Sequence, residues 1–175
     1  VAPRLFRDGR YQNTLLLSPP GGGKTTLLRD LVRCLSSGGT GRPGLRVSLI
    51  DERGEVAVMV RGRPQMDVGP RTDVLDACPK ALGIPMALRA MNPQVIAVDE
   101  ITVREDLRAI SQAAGCGVAL LPEVVLDNSP EPVRNRVMIL ERSDEKTPFE
   151  LGVCAQKKRL HEPLIDAFWT ILPNH

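Results

Sequence analysis

Aromatic side chains make up only 3% of this 175-residue chain, one Trp, one Tyr and three Phe. A core built from it must be aliphatic, which suits a parallel sheet covered by helices. So few rings also leave little for bases to stack on, which counts against a nucleic-acid-binding role. The four cysteines, Cys34, Cys78, Cys116 and Cys154, form no CxxC pair, and the only histidines are His161 and His175. That argues against zinc and reads as reduced thiols in a cytosolic-type chain; neither histidine is assigned chemistry. No apolar run approaches the roughly 18 residues a membrane helix needs, and no signal peptide opens the chain. Charge of either sign is not in excess: the formal net charge is +2, and the one dense basic run, Lys157-Lys158-Arg159, reads as a solvated face. Internal repeats and low-complexity tracts are absent. The chain opens at Val1 without Met and is read as a single domain over residues 1–175, a fragment lacking an N-terminal region.

What is present alternates between strand and helix periods. Asn13 to Leu17 is a short apolar run of strand length. Leu27, Leu28, Leu31, Val32 and Leu35 then recur at helical spacing until Ser36-Ser37-Gly38-Gly39 stops them. Leu45 to Ile50 reads as a second strand, followed by the acidic cluster Asp51-Glu52-Arg53-Gly54-Glu55. Residues 72–91 read as two helical pieces separated by Pro79. After Asn92-Pro93 comes a third strand, QVIAVDE. Thr102 and Glu105 have the spacing of a capping box, opening a helix with Val103, Leu107, Ile110 and Ala114 on one face and Gly115 at its stop. Val118 to Leu121 is a fourth strand, and Arg136–Glu141 with Phe149–Ala155 can pair as a C-terminal hairpin. The pattern predicts an α/β fold with a mainly parallel sheet flanked by helices.

Chemistry concentrates in two places. Ser18-Pro-Pro-Gly-Gly-Gly-Lys24-Thr25 has P-loop spacing, with Ser where the first Gly usually stands, and it lies between a strand and a helix. Glycines there let successive amides point inward, and the helix N-terminus adds its positive dipole end. The nucleotide-binding set is Pro20, Gly21, Gly22, Gly23, Lys24, Thr25 and Thr26, with Lys24 on the β- and γ-phosphates and the Thr25 hydroxyl on Mg²⁺. The second place is VIAVDE, an apolar strand that delivers Asp99 and Glu100 to the carboxyl edge of the sheet, where such folds bind ligands. Asp99 is expected to hold Mg²⁺ through water, and Glu100 to orient and polarise the attacking water. An acid in that place favours ATP hydrolysis over phosphoryl transfer to a small molecule. A GTPase is disfavoured because no Asn-Lys-x-Asp stretch occurs.

The segments NTLLLSPPGGGKTTLLRDL, DERGEVA, PQMDVGPRTDVLDACPKA and LRAMNPQVIAVDEI together resemble the stage III sporulation AA family. Those proteins are RecA-like ATPases related to type II and type IV secretion and pilus motors. The likeness covers roughly residues 9–121. It implies a RecA-like P-loop NTPase of the wider AAA kind, using ATP and Mg²⁺ and assembling as a homo-oligomeric ring, hexameric by resemblance. It also implies a location at the cytoplasmic face of a membrane, energising a membrane-embedded, secretion-like sporulation channel. Two departures stand out. Asp99 is kept where many related motors carry Gly. The sensor stretch of Ala-Thr-x-His-Ala type that usually follows the fourth strand is missing, because GVALL runs straight into Pro122-Glu123-Val124. A loop missing near residues 121–122 is the expectation there.

Other residues are assigned more bluntly. Asp51, Glu52 and Glu55 are read either as an acidic box assisting Mg²⁺ or the lytic water, Asp51 as metal ligand and Glu52 as catalytic helper, or as a solvated turn. Arg53, Arg61, Arg63 and Arg71 are candidates for an arginine finger donated to a neighbouring subunit's ATP, Arg71 foremost. Arg89 is expected in a surface ion pair. Met59, Met66, Met86 and Met91 read as core or interface filler, and Phe168 and Trp169 as an anchor for the C-terminus. Two rivals accompany the motor reading: a nucleic-acid translocase of the same class, and an ATP-binding scaffold without turnover.

Overall fold

The computed structural model describes residues 5–7, 10–11, 13–18, 23–39, 41–116, 119–125, 139–142 and 151–154. A seven-stranded sheet forms its centre, in the order β10-β11-β3-β9-β8-β4-β7. β3 (Asn13–Ser18), β4 (Val47–Asp51), β7 (Thr72–Asp76), β8 (Val95–Glu100), β9 (Ala119–Val125) and β11 (Leu151–Cys154) are mutually parallel; only β10 (Ile139–Arg142) runs against its neighbour β11. Two short ribbons lie apart from it: β1 (Phe6–Arg7) with β2 (Arg10–Tyr11), and β5 (Met59–Val60) with β6 (Arg63–Pro64). The helices are α1 (Lys24–Ser37), α2 (Lys80–Ala90) and α3 (Arg104–Gly115).

Period-two alternation divides the core into two layers. On β8, Val95 and Ala97 pack with Leu28, Leu31, Val32 and Leu35 of α1, whereas Ile96 and Val98 pack with Ile84 and Ala87 of α2 and Leu107 and Ile110 of α3. Leu15 and Leu16 on β3 part the same way. Burial on both faces explains why these strands read as unbroken apolar runs. Gly83 marks where α2 comes closest to the sheet: a Cβ there would stand 2.8 Å from Ile50 Cγ2 and 3.2 Å from Cys78 Sγ. Ala normally stabilises a helix interior relative to Gly, but here the clash should win. Gly83→Ala is expected to cost about 1–3 kcal/mol in urea unfolding. A gain in stability would show that α2 can retreat from the sheet.

Several expectations need correction. The first of the two helical pieces in 72–91 is the strand β7, paired in register with β4 from Val47↔Thr72 to Asp51↔Asp76. Only Leu75 of this edge strand is buried, so it offers little alternation to read. The capping partner of Thr102 is Asp106, whose Oδ2 accepts from the backbone N–H of Thr102 at 3.1 Å and of Val103 at 3.2 Å. Because α3 starts at Arg104, the third helical position belongs to Asp106 and Glu105 lies exposed. Val103 is 51% exposed, and Ala109 and Ala113 fill the buried face instead. The fourth strand continues through Pro122 to Val125. Met59 and Met91 pack against the core as expected, but Met66 and Met86 lie exposed. Arg89 is exposed in the last turn of α2, where a cation complements the helix dipole. The C-terminal hairpin is present as β10 and β11. Lys157 to Arg159, His161, Phe168, Trp169 and His175 fall outside the described residues.

Candidate functional site

Because β3, β9, β8, β4 and β7 run parallel, the ends Ser18, Val125, Glu100, Asp51 and Asp76 share one edge. Gly23, the last of the glycine run, precedes α1 in the left-handed conformation at φ 78°. A side chain there would be strained, so glycine is required by the backbone. Residues 19–22 (Pro20, Gly21 and Gly22 among them) lie outside the described residues. Lys24 opens α1 with its side chain buried, Thr25 is half-buried and Thr26 exposed; no acid stands in the first turn. A cation at the positive end of a helix opposes the dipole, an arrangement that an anion would relieve.

One strand separates this loop from the acidic edge, since β9 lies between β3 and β8. The β8–β9 ladder pairs Val98 with Pro122 and then skips to Glu100 with Glu123. Pro122 has no N–H to donate, so the ladder breaks there, and Asp99 becomes the extra residue of a bulge. Asp99 is 3% exposed. Its Oδ1 accepts from Lys80 Nζ at 2.8 Å and its Oδ2 from the backbone N–H of Arg53 at 3.0 Å. Glu100 is half-exposed, and its Oε2 accepts from Arg53 Nη1 at 2.6 Å. Lys80 also donates to Glu52 Oε2.

Lys80 is the residue that sequence reading missed. It is 1% exposed, and lysine is almost never that buried unless paired. A signal was available: like Lys24, it sits at the first position of a helix, against the dipole, and so demands acidic partners. Burial opposes its ammonium form, but hydrogen bonds to Asp99 and Glu52 prevail and hold its pKa above the ordinary lysine value. Burial is also the largest influence on Asp99, raising its pKa against the pull of Lys80 and the Arg53 amide.

Asp51 is corrected from metal ligand to loop anchor. It is fully buried, and its two oxygens accept the amides of Glu55 at 3.0 Å, Val56 at 3.2 and 3.1 Å and Ala57 at 2.8 Å. Arg71, expected to act on a neighbouring subunit's ATP, lies away from this chain's own site. It precedes β7 at the opposite edge of the sheet, roughly 17 Å from the phosphate edge at about 3.3 Å per strand residue. There its Nη1 donates to the Gly44 carbonyl at 2.9 Å and its backbone N–H to Ser36 Oγ at 2.7 Å. The arginine at the acidic edge is Arg53. Arg61 and Arg63 are exposed on the β5–β6 ribbon.

A nucleotide with its metal fits these residues in kind. Gly23 and the start of α1 offer an anion cradle, and a hydroxyl at Thr25 and a carboxylate at Asp99 are oxygen donors suited to Mg²⁺. Lys80 and the Arg53 amide already occupy both oxygens of Asp99, which favours contact with the metal through water.

A parallel sheet with a phosphate-type loop and an acidic strand end across one intervening strand defines a RecA-like P-loop core. The ATPase DotB of Legionella pneumophila shares this fold, with a TM-score of 0.50 and 20% identity over 67% of this chain and 31% of DotB. The family model for Sporulation stage III, protein AA, matches residues 1–158, and the chain belongs to that family. The Stage III sporulation protein AA of Bacillus subtilis (strain 168) is 46% identical over 121 residues, 69% of this chain and 39% of that protein. A second likeness is of another kind. The HTH-type transcriptional regulator IlvY of Escherichia coli (strain K12) is 94% identical over 63 residues, 36% of this chain and 21% of the regulator. The chain thus spans well under half the length of either relative. Among the described residues, no helix is long and apolar enough to cross a membrane.

Proposed function

We propose that this chain is a Mg²⁺-dependent, ATP-binding and ATP-hydrolysing motor domain. In this reading it works as a ring of identical subunits, hexameric by family likeness, at the cytoplasmic face of a membrane-embedded sporulation channel. One observation carries it: the left-handed Gly23 and Lys24 at the head of α1 face the same sheet edge as the bulged Asp99 and Glu100. Lys24 would hold the β- and γ-phosphates, and Thr25 and, through water, Asp99 the metal. The bound Mg²⁺ supplies charge neutralisation on the phosphates. Glu100 would take a proton from the attacking water, with Arg53 fixing its carboxylate. A ring implies shared sites, so ATP hydrolysis per mole of protein should rise with protein concentration, by about tenfold from nanomolar to micromolar, as subunits associate. A measured activity that stays flat would sink the shared-site reading.

A second reading, an ATP-binding scaffold without turnover, draws on the tail. The segments that carry the sporulation resemblance run to about residue 121, and the matched stretches of 121 and 63 residues together slightly exceed the chain's 175. We therefore place the regulator-like stretch at the carboxyl-terminal end. It shares residues there with the family match, which extends to 158; at 94% against 46% identity the regulator has the stronger claim to them. The sensor segment expected after the fourth strand would then have been replaced. Amplifying the gene across the codons for Leu121 and Pro122 from source DNA should yield one continuous product, and failure to do so would sever the tail from the ATPase domain. Tight ATP binding without phosphate release would favour the scaffold.

A further inference from the structure

Beneath the acidic edge lies a buried cation that the proposed reaction does not itself consume. Lys80 bridges Asp99 at the end of β8 and Glu52 in the loop after β4, and is the largest fully buried side chain among the described residues. Arg53 ties the same loop to the same strand end, through its backbone N–H on Asp99 and its guanidinium on Glu100. The loop is closed from below by Asp51, which gathers the amides of residues 55–57. The loop after β4 and the acidic end of β8 are thereby locked into one unit, with Lys80 as its internal charge.

We propose that Lys80 is a positioning residue of the nucleotide site, a resident cation that holds Asp99 in place and sets how strongly the site draws Mg²⁺; this rests on the ATP-binding reading above. The argument is one of charge. Lys80, Glu52 and Asp99 together carry one net negative charge, with Lys80 and Asp99 buried where solvent screens them poorly and Glu52 partly exposed beside them. A metal approaching Asp99 meets both the attraction of the two carboxylates and the repulsion of the ammonium. Changing any one member must therefore move the metal requirement in a direction fixed by its sign. A side chain that merely fills space would not do so.

The test is ATP binding by titration calorimetry on the full chain at stepped Mg²⁺ concentrations, a readout independent of turnover. Lys80→Met, close in volume and uncharged, should lower the half-saturating Mg²⁺ about five- to tenfold. Glu52→Gln should raise it by a similar factor and is the safer variant to fold, because Glu52 is partly exposed where Lys80 is not. The double variant, Lys80→Met with Glu52→Gln, restores the net charge and should fall within about twofold of wild type. If wild type binds Mg·ATP and Glu52→Gln leaves the Mg²⁺ requirement unchanged, the role of Lys80 is overturned and the nucleotide site stands. If wild type binds no Mg·ATP at any concentration, the nucleotide reading falls and takes this inference with it.

Discussion

Glu100→Gln is expected to lower steady-state ATP hydrolysis by about 10²–10⁴-fold, the usual worth of a positioned general base, while ATP affinity stays within about threefold. Glutamine keeps the size of the side chain and can still accept a bond from Arg53, but it cannot take a proton from water. Lys24→Ala should separate from it sharply. That substitution removes the charge aimed at the phosphates, so binding itself should be lost along with turnover. Phosphate release and equilibrium binding measured side by side distinguish the two. A Glu100→Gln protein that turns over ATP at half the wild-type rate or better would remove Glu100 from the chemistry and leave the acidic edge a structural feature.

The second large effect is on stability and needs no nucleotide. Asp51→Ala strips the acceptors from three amides, those of Val56 and Ala57 in buried bonds and that of Glu55 in a partly buried one. Each buried donor left without a partner costs about 1–3 kcal/mol, so the amides of Val56 and Ala57 alone should cost about 2–6 kcal/mol in urea denaturation. Against a total of roughly 5–15 kcal/mol for a typical domain, that could unfold the chain at ambient temperature. Asp51→Asn retains one carbonyl acceptor and should lose about half as much. Were Asp51→Ala to cost under about 1 kcal/mol, the loop would have to find other acceptors without strain, and its role as anchor would be wrong.

The outline of the fold was legible because burial writes itself into periodicity. The apolar runs of β3, β4 and β8 lie between two helical layers, and α1 carries its stripe at Leu28, Leu31, Val32 and Leu35. The strand β7 was misread for a related reason. An edge strand buried on few positions, with Leu75 its single fully buried residue, has almost no pattern to show. The cap at Asp106 went to a residue one position beyond the one expected, because the spacing rule depends on where the helix starts.

At the acidic edge the division is physical. Lys24, Thr25, Asp99 and Glu100 could be proposed from the chain itself because each stands beside its own strand or helix terminus. Lys80 and Arg53 act on carboxylates 19 and 47 positions away in the chain, and no spacing rule links such residues. Only the parallel pairing of β4 with β8, and the docking of α2 beside them, makes Glu52, Arg53, Lys80 and Asp99 neighbours. The same packing turned Asp51 from a candidate ligand into a buried acceptor and carried Arg71 to the far edge of the sheet. By itself, then, the amino-acid order determined the layered α/β core and the residue types at its loop ends, since these follow from local propensity and burial. Which of those charges face one another, and which are already neutralised, was decided by tertiary structure, because electrostatic partnership depends on distance through space and not along the chain.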